Sequence, residues 1–186
     1  MRIIGDVHGN YDEYLAIVKD CQESIQVGDM GFDYNPISHI AEHHKFIGGN
    51  HDNYDEICTS PNNLGNFGIY KGIGFIRGAK TIDRYHRIFG VTRWDEEELN
   101  YIQGIECVEF FEKNKPEIII SHDCPQFATK LMGKNIESST TRKLLDEIYE
   151  LVKPKHWLYG HHHRDFQIKH ENTVFQCVGI LQYVDI

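Results

Sequence analysis

The feature that most constrains this chain is a pattern that recurs at the ends of its short apolar segments. Five such segments end in glycine or serine and are followed at once by residues that bind metal ions. The five junctions read GDVHG from position 5, GDMG from 28, GGNHD from 48, SHDCP from 121 and GHHHRD from 160. Short apolar runs that end at glycine are typical of buried strands, and α/β folds place ligands at the carboxyl ends of strands. The pattern therefore predicts one pooled site built from strand ends.

The segments between the junctions predict a mixed α/β protein. Strands are predicted over 2–4, 24–27 and 45–47, over EIIIS (117–121), and over HWLY, FQIKH and TVFQCV near the end. Helices are predicted from Tyr11, over 95–111 and over Thr140–Val152. The glycine-rich middle, about 67–91, contains the β-like pieces FIR and RIFGV. Strands alternate with helices at first and follow one another later, which indicates a mixed sandwich rather than a doubly wound sheet. No repeat or linker interrupts the chain, so we expect a single domain over residues 1–186.

Composition excludes several classes of function. With 40% hydrophobic and 25% charged residues, the 186-residue chain has the composition of a globular protein. No apolar run approaches the ~18 residues of a membrane span, and the start MRIIGDVHGN lacks the apolar core of a signal peptide, so we expect a cytoplasmic protein with no membrane partner. The net charge of −9 disfavours binding to extended nucleic acid, which needs a basic face. The five cysteines form no C-x-x-C motif and are expected to be reduced thiols.

The order of the motifs carries a resemblance to a known family. The junctions pool imidazole, carboxylate and amide groups, a set that suits Mn, Fe or Zn better than a structural cysteine-rich zinc site. D-x-H, G-D, G-N-H-D, a later isolated His and G-H-x-H, in that order from Asp6 to His163, resemble the calcineurin-like metallophosphoesterases, in particular the small enzymes of phage and bacterial type. The resemblance implies a four-layer α/β/β/α sandwich of two mixed sheets flanked by helices. It also implies two divalent metal ions, with Mn²⁺ expected and Fe, Zn or Ni as alternatives.

The resemblance also implies roles for individual residues. One metal would be held by Asp6, His8, Asp29 and His163, and the second by the bridging Asp29 together with Asn50, His122 and His161. His51 would be the acid or charge stabiliser beside the substrate phosphate, which Asn50 would also contact, and Asp52 would orient His51. A metal-bridging hydroxide would attack phosphorus in line. If residues 160–163 form an extended turn, His161 and His163 project to the same side as metal ligands. His162, between them, is expected to point away and to be replaceable.

One departure from the phosphoprotein-phosphatase-like relatives concerns the phosphate clamp. The segment GDMGFDYNP lacks the arginine of their D-R-G pattern, and an aspartate replaces the glutamate of their G-N-H-E. Five basic residues lie between positions 77 and 93 and offer a substitute. From these we predict substrate contacts by Arg77, Arg84 and Arg93, with Arg93 beside Trp94 preferred, since arginine grips phosphate bidentately next to a stacking aromatic ring.

The expected activity is hydrolysis of phosphate monoesters on a phosphoprotein or on a small phosphorylated or nucleotide substrate. One alternative is a phosphodiesterase acting on nucleotides, cyclic nucleotides or nucleic-acid ends. Another is a non-catalytic binding scaffold of the same fold. A third is a metalloprotease, because HIAEH at 39–43 fits the H-x-x-E-H signature with Glu42 as base, but this alternative leaves all five junctions unexplained. The sequence does not define the substrate or the oligomeric state.

Overall fold

The protein is described from a computed structural model over residues 1–81 and 84–186, apart from the side chain of Arg84. Its strands form two sheets. The first consists of β1 (Arg2–Ile4), β2 (Ser24–Gln26), β3 (His44–Phe46) and β10 (Tyr183–Asp185), in the order β10-β1-β2-β3. The second consists of β4 (Phe67–Tyr70), β5 (Ile73–Ile76), β6 (Ile118–Ser121), β7 (His156–Tyr159), β8 (Phe166–His170) and β9 (Thr173–Cys177), in the order β4-β5-β6-β7-β9-β8.

The central strands of both sheets are parallel. This holds for β1, β2 and β3 and for β5, β6, β7 and β9, while β10, β4 and β8 add antiparallel edges. Parallel neighbours require crossover connections, which here include α1 (Tyr11–Lys19), α3 (Tyr101–Asn114), α4 (Gln126–Leu131) and α5 (Thr140–Val152). The short helix α2 (Tyr54–Ile57) lies on the connection from β3 of the first sheet to β4 of the second. The loops that follow parallel strands therefore leave each sheet at the same edge.

Three apolar clusters hold the layers together. Ile3 and Ile25 of the first sheet meet Ile120 and Leu158 of the second, so the two sheets pack face to face. The outer face of the first sheet packs against α1, and the outer face of the second packs against α3, α4 and α5 around Trp157. The predicted four-layer α/β/β/α sandwich is therefore confirmed.

Several local predictions were wrong, for identifiable reasons. Helix α3 begins at Tyr101 and not at 95, because Asn100 and Gln103 form a reciprocal capping box at its start. The acidic run before it forms only a 3₁₀ turn, in which Glu97 is buried and accepts a hydrogen bond from Trp94 N. RIFGV forms turns and one isolated bridge from Phe89 to Arg93 rather than a strand, and residues 88–91 are exposed. The short elements α2, α4 and β10 carry too few residues for a periodic pattern and were not predicted.

Across the described ranges, none of the helices has both the length and the apolar character needed to cross a membrane.

Candidate metal centre and active site

The five sequence junctions meet at one place in the fold. Asp6 follows β1, Asp29 follows β2 and Asn50 follows β3, all in the first sheet. From the second sheet, His122 directly follows β6, and the triple histidine follows β7. Because the two sheets pack face to face with these strand ends adjacent, residues up to 155 positions apart in the chain come into contact.

Four of the predicted ligands form a first group of convergent donors. The ligand atoms of Asp6, His8, Asp29 and His163 all lie within 4.8 Å of one another. Oδ2 of Asp6 is 3.1 Å from His163 Nε2 and 3.7 Å from His8 Nε2. His8 Nε2 is also 3.8 Å from Asp29 Oδ2. Such spacing of carboxylate and imidazole donors, with the two carboxylates buried, fits a divalent ion.

A second group shares one of these residues. Asp29, His122 and His161 again have ligand atoms within 4.8 Å of one another. His122 Nε2 lies 3.2 Å from Asp29 Oδ1 and 3.2 Å from Asn50 Oδ1, which adds the predicted amide oxygen to the group. Asp29 is completely buried, yet its Oδ2 has no hydrogen-bond partner within the described part of the chain. A buried carboxylate oxygen rarely lacks a donor, so this atom points to a positive ligand that both groups share.

The backbone at the site is held in unusual conformations. His8, Asp29, His161 and His163 all have positive φ, between 50° and 61°. Residues other than glycine adopt this region at a cost of about 1–3 kcal/mol each, and such strain gathers at functional sites. The glycines of the junctions are needed for close approach: a Cβ on Gly28, Gly49 or Gly160 would lie 2.1–2.5 Å from an atom of a predicted ligand.

Charge interactions set the protonation of the second group. Burial raises the pKa of Asp29, but the charge and hydrogen bond of His122 outweigh it, so this pKa lies far below its usual value. For His122, burial lowers the pKa, but the Asp29 charge more than compensates and raises it to about 10. Burial dominates at His161 and lowers its pKa to about 4, although the Asp123 charge opposes it. His161 is therefore neutral, which is the form of imidazole that binds metal.

His51 lies beside the first group of donors, and its side chain forms no hydrogen bond with that of Asp52. Its ring centroid is 5.0 Å from that of His8 and 6.0 Å from that of Phe32, and its backbone N–H donates to Asp29 Oδ1 at 2.7 Å. A surface cleft of about 420 Å³ opens over this corner, lined by His8, Gly9, Tyr11, Gly31, Phe32, Asp33 and His51. The cleft places His51 where a substrate would enter.

Asp52 was expected to orient His51, and this prediction was wrong. The carboxylate is buried and accepts hydrogen bonds from the backbone N–H groups of Asp29 (2.9 Å), Met30 (2.8 Å), Gly31 (3.2 Å) and Gly49 (2.6 Å) and from the Tyr34 hydroxyl (2.7 Å). It therefore ties the loop after β2 to the loop after β3. Its role is to fix the backbone that carries Asp29.

Among the described side chains, the arginine that reaches the site is Arg87, which was not one of the three predicted substrate contacts. Its guanidinium donates to the carbonyl oxygen of Asn50 at 2.6 Å and to Nε2 of His51, and pairs with Glu97 at 3.8 Å. Nothing in the sequence distinguished it from the other basic residues of the same segment. Its selection depends on how the turns after β5 fold back over the loop after β3.

Two of the predicted arginines, Arg77 and Arg93, make other contacts. Arg77 is buried within the fold and bonds Asn66 Oδ1 at 2.6 Å and the Glu96 carbonyl, so its assignment to substrate was wrong. Arg93 lies over the Phe89 ring, with 5.6 Å to the centroid, and its neighbour Trp94 is too buried to be a stacking platform. The side chain of Arg84 lies outside the described residues, so its predicted contact stays a prediction.

Behind the second group lies a buried polar cluster that the sequence did not predict. Asp123, Cys124 and His162 have potential ligand atoms within 4.8 Å of one another. However, Arg142 Nε lies 2.8 Å from Asp123 Oδ2, and Lys134 Nζ lies 3.4 Å from His162 Nδ1. Arg142 already neutralises the one carboxylate of this cluster and Lys134 adds a further positive charge, so the cluster would repel a metal ion. His162 points away from the two donor groups, and it is buried against Asp123 Oδ1 at 3.1 Å.

The H-x-x-E-H motif has no part in any site of the described chain. His39, Glu42 and His43 are exposed, and the 3₁₀ turn at Asn35–Ile37 ends before them. That signature requires both histidines on one face of a helix, and residues 39–43 form turns. The metalloprotease alternative therefore lacks its structural basis.

Comparison with known proteins agrees with the metal centre that the geometry of the two donor groups indicates. A family model described as calcineurin-like phosphoesterase matches residues 2–165, which include every predicted metal ligand. The chain belongs to this family. As a calcineurin-like phosphoesterase it is a metal-dependent phosphoester hydrolase. No curated protein matches it by sequence.

Solved structures of low sequence identity share the fold. The protein TT1561 of Thermus thermophilus matches with a TM-score of 0.51 at 9% identity, covering 97% of this chain and 89% of the other. GAP50 of Plasmodium, described as the anchor in the inner membrane complex, matches with a TM-score of 0.53 at 11% identity, covering 96% and 71%. A phosphopantetheinyl hydrolase from Mycobacterium tuberculosis matches with a TM-score of 0.49 at 12% identity, covering 96% and 89%. At these identities the first two comparisons establish the fold and nothing finer.

Proposed function

We propose that this calcineurin-like phosphoesterase is a phosphomonoesterase that works with two divalent metal ions, Mn²⁺ foremost. The observation that carries the proposal is Asp29, a buried carboxylate shared by two groups of donors, with one oxygen that has no hydrogen bond in the described structure. Asp6, His8 and His163 would complete one ion site, and Asn50, His122 and His161 the other. When bound, two such ions polarise phosphoryl oxygens and lower the pKa of water. All other steps depend on the side chains around them.

His51 and Arg87 support a division of labour beside the ions. Because guanidinium groups only donate, the contact between Arg87 and His51 makes Nε2 of His51 the acceptor. A substrate phosphate offers Arg87 stronger, charge-assisted acceptors than an imidazole nitrogen. We expect Arg87 to turn to the phosphate, so that His51 Nε2 can take up a proton from solvent and transfer it to the leaving oxygen.

The same cation favours monoesters over diesters. A phosphate monoester is close to a dianion at neutral pH, whereas a diester carries one negative charge. Arg87 places a guanidinium beside His51, paired with Glu97 at 3.8 Å, next to a site that would already attract anions through its metal ions. An additional cation stabilises the more highly charged substrate to the greater extent.

Exposed apolar side chains beside Arg87 support a phosphoprotein as substrate. Within residues 85–91, Tyr85 is 96% exposed, Ile88 66%, Phe89 58% and Val91 56%. Arg87 contacts Asn50 and His51 from within this segment, so these apolar residues lie within four sequence positions of a side chain at the site. A polypeptide with large apolar residues near its phosphorylated side chain would bury them here, whereas a small ester would leave them exposed. The net charge of −9 opposes the approach of nucleic acid.

Two esters and two variants test the activity. With Mn²⁺, the protein should hydrolyse p-nitrophenyl phosphate, and the bis ester at most one-tenth as fast. Asp29→Asn should lose both activity and bound metal, while His51→Ala should keep the metal and lose at least 100-fold in kcat. A preference for the bis ester would establish the diesterase alternative. Full metal binding without hydrolysis of either ester would establish the scaffold alternative, which the complete set of donors disfavours.

The substrate class needs a separate comparison. Replacing Ile88 and Phe89 together by serine should lower kcat/KM on an apolar phosphopeptide about tenfold, because it removes apolar contact area. The same variant should leave p-nitrophenyl phosphate hydrolysis unchanged. The matched control is Ile102→Ser, on an α3 position that is equally exposed at 66%. An equal loss on both substrates, or an equal loss in the control, would contradict a role in peptide recognition.

A further inference from the structure

We propose that Asp123 is a positioning residue that orients His161 and fixes which nitrogen of its ring faces the metal. The inference rests on the proposed function, because it concerns the second ion site. Asp123 follows the predicted ligand His122 directly, is 0% exposed, and is not itself a member of either donor group around Asp29. A buried carboxylate needs a reason to be retained, since an isolated one is costly to desolvate.

Each oxygen of Asp123 has a distinct environment. Oδ1 accepts from the backbone N–H of Cys124 at 2.8 Å and lies 3.1 Å from His162 Nε2. Oδ2 forms an ion pair with Arg142 Nε at 2.8 Å, but the two groups are not aligned for a hydrogen bond. Oδ2 therefore has no hydrogen-bond donor among the described residues. The second nearby group is Nε2 of His161, at 3.9 Å from Oδ2. The oxygen with unused accepting capacity therefore faces the ring of a predicted ligand.

This arrangement defines the tautomer of His161. If Nε2 carries the proton and points to Asp123, then Nδ1 carries the lone pair. The side chain of His161 is 10% exposed. Its ring centroid lies 5.1 Å from that of His122 and 5.2 Å from that of His162. The ring is therefore packed between its two neighbours and has little freedom to turn over. Metal-binding histidines usually donate their second ring N–H to a carboxylate, which sets the ring orientation and raises the basicity of the ligand.

The residues around Asp123 hold it in place for this role. Arg142 is 1% exposed, projects from α5 and also donates to the Glu137 carbonyl at 2.8 Å. Lys134 faces His162 Nδ1, so His162 is neutral with its Nε2 proton directed to Asp123 Oδ1. Helix α5 and the loop after α4 thereby fix a carboxylate behind the ion site. The buried Cys124–Asp123–His162 cluster is explained as a support for His161 rather than as a third metal site.

The first test uses the unmodified protein. Long-range ¹H–¹⁵N NMR spectra of the Zn²⁺-loaded chain report the tautomer of each histidine. We expect His161 to be protonated at Nε2 and metal-bound at Nδ1. Protonation at Nδ1, or a His161 ring without bound metal, would overturn the proposal whether or not the protein hydrolyses esters.

The second test uses variants and metal binding as the readout. Asp123→Asn alone leaves Arg142 buried without its partner, so the double variant Asp123→Asn/Arg142→Gln accompanies it and removes both charges. By Mn²⁺ titration, the wild type should bind two ions, and the double variant should bind one as before and the other 10–100-fold more weakly. The electron paramagnetic resonance signal of a coupled Mn²⁺ pair should give way to that of a single ion.

Asp146→Asn is the matched control. Asp146 lies on α5, as Arg142 does, and it resembles Asp123 in accepting from a backbone N–H, that of Phe127, at 3.2 Å. It should bind two ions with wild-type affinity, even if it is less stable. Two ions bound with wild-type affinity by the folded double variant would refute the role of Asp123. So would a third ion in the wild type that is lost with Asp123 while the coupled pair remains. If the wild type binds its pair but hydrolyses no ester, the proposed function fails while the role of Asp123 stands.

Discussion

Replacing Gly49 by alanine should displace the shared carboxylate and empty both ion sites. The added Cβ would lie 2.3 Å from Asp29 Oδ1, 2.5 Å from Asp29 N and 2.7 Å from His122 Cε1. A normal contact between carbon and oxygen or nitrogen needs more than 3 Å, so Asp29 must move by about 1 Å. Gly49 does not have a positive φ, so alanine meets no backbone strain of its own and the effect is purely steric. Overpacking of this kind costs about 1–3 kcal/mol.

Differential scanning calorimetry and Mn²⁺ titration measure the two consequences. For a chain of this length, about 1–3 kcal/mol lowers Tm by roughly 2–12 °C. Binding of Mn²⁺ should fall at both sites, because Asp29 belongs to both donor groups. Gly104→Ala is the control with the same chemical change: it lies within α3 and its Cβ would meet only Leu144 Cδ1 at 3.9 Å, so stability should rise by about 0.5–1 kcal/mol. A Gly49→Ala protein with wild-type Tm and two bound ions would refute the steric argument.

Three further predictions follow from corrected or new assignments. Asp52→Asn replaces an acceptor that serves four backbone N–H groups and one hydroxyl, so it should cost about 3 kcal/mol or more; a Tm within 2 °C of wild type would contradict this. Arg87→Met should lower kcat/KM on p-nitrophenyl phosphate by roughly 10–100-fold through loss of a charged hydrogen bond, with Mn²⁺ still bound; a loss of Mn²⁺ would instead indicate a structural role. His162→Ala should lower stability by about 1–3 kcal/mol, because a buried, hydrogen-bonded ring is lost, yet keep both ions; loss of an ion would make His162 more than a support.

Strand ends were predictable from the sequence because their cause is local. An apolar run of three or four residues followed by glycine has few alternatives to a buried strand that ends there. The order of the five junctions, together with the resemblance they carry, therefore led to the family and to the four-layer fold, both of which are confirmed. Helix α5 was predicted with its observed bounds, Thr140–Val152, because its apolar spacing is strong and Ser139 caps it. A single domain over 1–186 and a cytoplasmic location stay predictions.

Partners of side chains could not be predicted, because hydrogen bonds between distant segments leave no periodic trace. Asp52 is next to His51 in sequence, yet its five donors come from Tyr34, Gly49 and the loop after β2. Among the basic residues of 77–93, equal in charge, only the path of the chain separates Arg77, which bonds Asn66, from Arg87, which bonds Asn50 and His51.

The triple histidine shows where the boundary lies. Alternation along an extended turn, a local property, separated His162 from His161 and His163 in the sequence alone. Whether His162 is exposed or buried depends on Asp123, which follows the neighbouring strand β6, and on Lys134, which follows α4. The sequence by itself determined which residue types stand at which strand ends. The tertiary structure decided which donors share the Asp29 carboxylate, which described arginine contacts His51 and which charges are buried. Those outcomes depend on how two sheets and their helices pack together.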